Sequence, residues 1–195
     1  MRIISGRFRS RRLISPKDDT TTRPIADRVK ESLFNLLRGH IEDEVVIDFF
    51  AGTGTIGLEA LSRGAERVMF VEQDRETLRR LEQNIEALGV ANEAMVVAGD
   101  ALGPICLATA PESAHVATFD PPYALLRDDG ADGIGRLIAQ MQRVAETILD
   151  GDGFLVLRTE WPFFDREIPR SEKLLGPETH EYKTMALHLY QKKKD

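Results

Sequence analysis

The sequence predicts an α/β protein: an open, largely parallel sheet with helices on both faces. Three observations predict it. Short apolar, β-branched runs recur along the chain, each followed by a segment with the apolar spacing of a helix. The first run, Val45–Ile47, leads into Gly52, Gly54 and Gly57 in G-x-G-x-x-G spacing. A later run, His115–Phe119, leads directly into Asp120, Pro121, Pro122 and Tyr123. Runs apolar on both faces suit a parallel sheet covered on both sides. In such sheets ligands gather where the strands end.

The chain has 195 residues, 42% hydrophobic and 30% charged, which is ordinary for one soluble globular domain with a sizeable core. No run approaches the roughly 18 apolar residues of a membrane span, and no secretory leader is recognisable. Cys106 is the only cysteine, which excludes an internal disulfide and suits a reducing cytoplasm. His40, His115, His180 and His188 lack metal-ligand spacing, so no metal is expected. The net charge of −6 conceals an asymmetry. Residues 1–38 hold ten Arg/Lys against four Asp/Glu (+6), leaving 16 basic and 28 acidic residues (−12) in the rest. A basic arm on an acidic body gives local phosphate affinity with a direction.

Taken in order, Ile3, Ile4, Phe8, Leu13 and Ile14 interleave with arginines, predicting a β-hairpin of two short strands around Ser5-Gly6-Arg7. Arg7, Arg9, Arg11 and Arg12 are its candidate phosphate ligands, joined by Arg23 and Arg28. Residues 1–22 are thus expected to form a basic arm and 23–195 the catalytic domain. Pro24 suits the first helical position, and Ile25, Val29, Leu33 and Leu36/Leu37 mark a buried stripe that leaves Arg28 and Lys30 outside. Asp48 is expected to close the first strand, with Thr55–Arg63 as the next helix. The second strand, ending at Glu72, precedes a helix capped by Asp74 and stopped by Gly89, with Arg79 and Arg80 on its solvated face.

Ala94–Ala98 is the third strand, and Asp100 follows it. Asp48, Glu72 and Asp100 then form a row of carboxylates along one groove. A broken helix over 102–111 should bury Cys106. Residues 124–131 are a candidate lid. Asp132 should cap a long helix that Gly151 and Gly153 end, before a fifth strand at Phe154–Leu157. Trp161, Pro162, Phe163 and Phe164 should pack on the sheet, and residues 171–190 should form a hairpin with Met185, Leu187 and Leu189 alternating inward.

The glycine pattern alone is shared with dinucleotide enzymes, and Glu72 stands 20 residues after Gly52, where a ribose-binding carboxylate belongs. The second motif distinguishes them. Asp48-Phe49-Phe50-Ala51-Gly52-Thr53-Gly54 resembles motif I of the class I S-adenosylmethionine (SAM) methyltransferases, and Asp120-Pro121-Pro122-Tyr123 resembles their (D/N)-P-P-(Y/F) motif for exocyclic amines. Residues 2–9 and 23–35 are similar to bacterial RsmD-type enzymes. Ser5, Ile25 and Tyr123 depart from that pattern.

The resemblance implies a Rossmann-like class I fold, with a seven-stranded mixed sheet whose last strand is antiparallel. It implies SAM as cofactor and methylation of a guanine N2 in 16S ribosomal RNA, of the position-966 type, in a small subunit or assembly intermediate. A monomer is the default expectation. Asp48, Phe50, Ala51, Gly52, Thr53, Gly54, Glu72, Gln73, Asp100 and Ala101 would hold SAM. Asp120 and the Pro121 carbonyl would accept the amine hydrogens of a flipped base, Pro122 would stiffen the turn, and Tyr123 would stack. The alternatives are a DNA adenine-N6 methyltransferase, an NAD-dependent oxidoreductase and a non-catalytic SAM-binding RNA protein.

Overall fold

In a computed structural model, which describes residues 1–16, 25–127, 132–163 and 168–194, the apolar runs pair into one seven-stranded sheet. The elements are α1 (Asp27–Leu36), β1 (Val45–Phe49), α2 (Gly57–Ser62), β2 (Arg67–Glu72), α3 (Arg75–Leu88), β3 (Ala94–Ala98), α4 (Pro104–Ala108), β4 (Ala114–Phe119), α5 (Tyr123–Arg127), α6 (Gly133–Thr147), β5 (Leu149–Glu160), β6 (Leu174–Tyr182) and β7 (Met185–Lys192). The strand order is β3-β2-β1-β4-β5-β7-β6. Strands β1 to β5 run parallel, and β7 is antiparallel to both β5 and β6. Chain order reverses between β1 and β4, which leaves a crevice above their carboxyl ends. No helix among the described residues is long and apolar enough to cross a membrane.

Two apolar layers cover the sheet. One gathers Leu33, Leu58, Leu61, Phe70, Leu81 and Ile85 with α1, α2 and α3; the other gathers Phe49, Phe119, Leu137, Met141 and Leu157 with α6. The β1–β4 register sets Asp48 beside Thr118 and Phe49 beside Phe119, whose rings stack at 4.4 Å. Helix α3 starts and stops as expected: Asp74 accepts the Thr77 N–H at 2.8 Å, and Gly89 turns left-handed at φ 70°.

Several expectations need correcting. Asp48 lies inside β1 rather than closing it. Lys30 is not solvated: it is 1% exposed, with its Nζ 3.3 Å from the fully buried Glu59 carboxylate. Glu59 also accepts the N–H groups of Ile4 (2.7 Å) and Ser5 (3.0 Å) and the Arg63 Nε (2.8 Å). The predicted hairpin is not seen as two strands. One antiparallel bridge joins Arg2 and Arg12, and the arm folds onto α2 and α3, with Ile3 and Leu13 in the core. The Glu59 carboxylate outcompetes strand pairing for the arm's N–H groups.

Helix α2 begins at Gly57, and Arg80 is drawn in by the Ser15 carbonyl at 2.6 Å. Asp132 occupies the cap position of α6 without a capping bond, and Gly151 and Gly153 lie within β5. Strand β7 does not alternate. Met185, Ala186, Leu187, His188 and Tyr190 are all buried, because β7 lies between β5 and β6 with a layer on each face. Cys106 and Phe163 are buried as expected. Residues 124–127 of the candidate lid lie in α5, held by Arg127 Nε on Glu160 at 2.9 Å; 128–131, Phe164, Arg23 and Pro24 lie outside the described residues.

Candidate active site

One groove of about 380 Å³ opens over the carboxyl ends of β1 to β4. It is lined by Phe50 and Gly52 from the first turn, Glu72 and Gln73 from the second, Gly99 and Ala101 from the third, and Asp120 and Pro122 from the fourth. The glycine loop and the proline turn, far apart in sequence, thus share one cavity of small-molecule size. The loop is tightly wound. Phe50, a bulky residue, takes φ 62°, and Gly54 at φ 85° would drive a Cβ to 2.5 Å from Leu81. Gly52, at φ 57°, meets nothing within 4 Å on its Cβ side and so leaves the groove open.

The predicted carboxylate row resolves into different environments. Glu72 accepts three backbone N–H groups, from Gly52 (2.9 Å), Gln73 (2.8 Å) and Asp74 (2.8 Å), and so ties the first turn to the second. Asp48 sits beneath the groove at 1% exposure, accepting the Gly57 N–H at 2.9 Å and the Thr118 hydroxyl at 2.8 Å. Burial pushes its carboxyl up to about 7 despite those two bonds. Asp100 accepts the Leu102 N–H at 2.9 Å and pairs with Arg136 at 2.8 Å, away from the groove lining. Ala51 and Thr53 are buried within the loop. Gln73 is exposed at the rim.

Asp120 is held by a residue that the sequence reading missed. Arg158, on the neighbouring strand β5 and 7% exposed at its side chain, donates its Nε to the Asp120 carboxylate. Its guanidinium lies 5.8 Å from the Tyr123 ring. Burial raises the Asp120 pKa, and the Arg158 charge opposes that rise. The groove-lining residues that the reading missed are Pro16 from the arm, Val71 from β2, Asp74, Glu76, Thr77 and Arg80 at the start of α3, and Gly99 after β3. An arginine directly after the apolar run Phe154–Leu157 was the one available signal for Arg158.

The arginines divide. Arg7 pairs with Glu93 and covers the Phe8 ring at 4.6 Å, and Arg11 donates to the Ala87 carbonyl at 2.9 Å. Arg9, Arg12 and Arg28 are exposed, without an ion pair among the described residues. Arg9 lines a second hollow with Arg38 and Arg63. That hollow lies near the loop before β1, so the arm reaches well away from the groove.

Comparison with known proteins agrees with this architecture. The family model described as conserved hypothetical protein 95 matches residues 1–173. The chain is 34% identical over 173 residues to the Bacillus subtilis protein named "Putative rRNA methyltransferase YlbH", covering 88% of this chain and 86% of that one. It is 40% identical over 123 residues to the Escherichia coli K12 "Ribosomal RNA small subunit methyltransferase D", covering 63% of this chain and 60% of the other. Among solved structures, the protein named "Putative methyltransferase yhhF from Escherichia coli" superposes with a TM-score of 0.79 at 28% identity, over 100% of this chain and 99% of that one.

Proposed function

This chain belongs to the conserved hypothetical protein 95 family, and on that premise we propose that it transfers a methyl group from SAM to the exocyclic N2 amine of a guanine in 16S ribosomal RNA. The observation that carries the reading is the shared groove, where a ribose-type carboxylate and an open glycine turn face an acidic proline turn. The groove's lining suits SAM: on this reading Glu72 would take the ribose hydroxyls, Ala101 the adenine edge with Gln73 in the place expected of Asp100, and Gly52 the methionine portion. Asp48 acts from below by fixing the loop, through its bonds to Gly57 and Thr118.

Bound SAM supplies a methyl group already activated on a sulfonium sulfur. The protein's task is to align a poor nucleophile with it, since the guanine amine shares its lone pair with the ring. Orienting two reactants lowers a barrier by roughly 7–11 kcal/mol. Asp120 and the Pro121 carbonyl accept the two amine hydrogens, which draws the lone pair toward the methyl and favours the charge growing on nitrogen. Pro121 and Pro122 fix the turn, and Tyr123 stacks on the flipped base. Arg158 favours the ionised form of Asp120 against the effect of burial and aims its carboxylate. Held in the groove, SAM would supply the methyl group, the carbon–sulfur bond breaking with its electron pair left on sulfur as the nitrogen–carbon bond forms, and the surplus amine proton would leave to water.

Asp120→Ala is the direct test of the residue assignment. Turnover should be lost while SAM affinity, measured by calorimetry, stays within a few-fold. A collapse of SAM binding would overturn the role given to Asp120.

A further inference from the structure

At the other edge of the sheet, where the strands begin, several segments converge on His115. His115 is the second residue of β4 and its side chain is 7% exposed. Its Nδ1 lies 3.1 Å from Asp150 Oδ1 and 3.0 Å from Oδ2, so it faces both carboxylate oxygens equally. Asp152 Oδ1 is 3.9 Å from the same nitrogen. The donor atoms of Glu44, His115 and Asp150 all lie within 4.8 Å of one another. Two carboxylates, Asp150 and Asp152, thus face one buried imidazole nitrogen, and the Glu44 carboxylate completes the group within 4.8 Å. The neighbouring cations are Lys192, whose Nζ is engaged by the Leu149 carbonyl at 2.6 Å, and Lys193 and Lys194 beside Asp152.

We propose that Glu44, His115 and Asp150 bind a divalent transition cation, zinc by the donor set, at the edge of the sheet opposite the groove. One imidazole and two carboxylates with a water in the fourth position is a donor set zinc accepts. Ligand bonds of about 2.0–2.2 Å place tetrahedral donors roughly 3.3 Å apart. His115 and Asp150 already stand near that spacing, and half-buried Glu44 has only a short approach to make.

A metal-bound imidazole is commonly held by a partner on its other nitrogen. His40 supplies that partner: its Nδ1 is 2.8 Å from His115 Nε2, with the rings 13° from parallel and Phe154 packed against both. Cation binding at Nδ1 puts the His115 proton on Nε2, donated to His40. Without the cation the proton sits on Nδ1, facing Asp150, and His40 becomes the donor. The cation would clamp the loop before β1 to β4 and β5. His40 and His115 stand 75 residues apart, so spacing in the sequence could not reveal this grouping.

The test is calorimetric titration of the tag-free chain with Zn²⁺, with Co²⁺ absorption as a reporter of tetrahedral geometry. One equivalent should bind and raise the melting temperature. Glu44→Gln and Asp150→Asn should each weaken binding at least tenfold while methyl transfer is unchanged, and His40→Phe should weaken it on the order of tenfold. The ¹⁵N shifts of His115 should exchange tautomer on titration. Absence of one-to-one binding, or undiminished affinity in Glu44→Gln and Asp150→Asn, would overturn the proposal. Because the readout is metal binding, failure here leaves the methyltransferase reading untouched.

Discussion

At the scale of single residues, the pairing of Asp120 with Arg158 matters most. Desolvation favours the neutral acid, which accepts hydrogen bonds poorly, and the adjacent guanidinium opposes that rise. Replacing Arg158 with Met removes the opposing charge, so the Asp120 pKa climbs and its ionised form appears only at higher pH. The acid limb of the methyl-transfer pH profile should therefore move upward, with KM for SAM little changed. An unmoved limb would show that Arg158 does not act through Asp120. His188 offers a second titration. Its Nε2 donates to the Thr159 hydroxyl at 2.9 Å, which itself donates to the Glu160 carbonyl, and its Nδ1 meets the Thr179 hydroxyl at 2.9 Å. Burial lowers its pKa to about 4. The folded state binds fewer protons than the unfolded chain, so stability is lost as pH falls from about 6.5 toward 4. His188→Gln should flatten the melting temperature across that window relative to the parent chain.

At the scale of elements, what could be read from the sequence was what is local in the chain. Strand β1 with its glycine turn, the Asp74 cap and Gly89 stop of α3, and the Asp-Pro-Pro-Tyr turn after β4 each write their structure in a few consecutive residues. Groupings that depend on how elements meet were not legible. Lys30 meets Glu59 because α1 packs on α2, and Arg158 meets Asp120 because β5 pairs with β4. Strand β7 reads as half-buried by alternation, yet insertion between β5 and β6 buries both of its faces. The arm shows the same limit. Its alternating pattern suggested a hairpin, whereas Glu59, out of reach of any local reading, anchors Ile4 and Ser5. The arm's arginines consequently differ in role. Arg9→Ala with Arg12→Ala should reduce the salt slope of RNA binding, by about 0.7–0.9 for each phosphate no longer neutralised. Arg7→Ala with Arg11→Ala should act mainly on stability, since those side chains bind Glu93 and Ala87. Equal slopes in the two double variants would contradict this division.

At the scale of the whole molecule, the sheet works at its carboxyl edge and the basic arm runs beside it from the groove, at Pro16, to the opposite edge, near Arg9. On the proposed function, an acidic body with a basic flank would orient a polyanion so that one nucleotide meets the Asp120 turn. We propose that this footprint, together with surrounding ribonucleoprotein, selects the base. The decisive measurement is methyl transfer from labelled SAM to small ribosomal subunits lacking the modification, followed by nucleoside analysis. Label in N2-methylguanosine is the predicted result. Label in N6-methyladenosine, or SAM bound with no label transferred, would contradict the account.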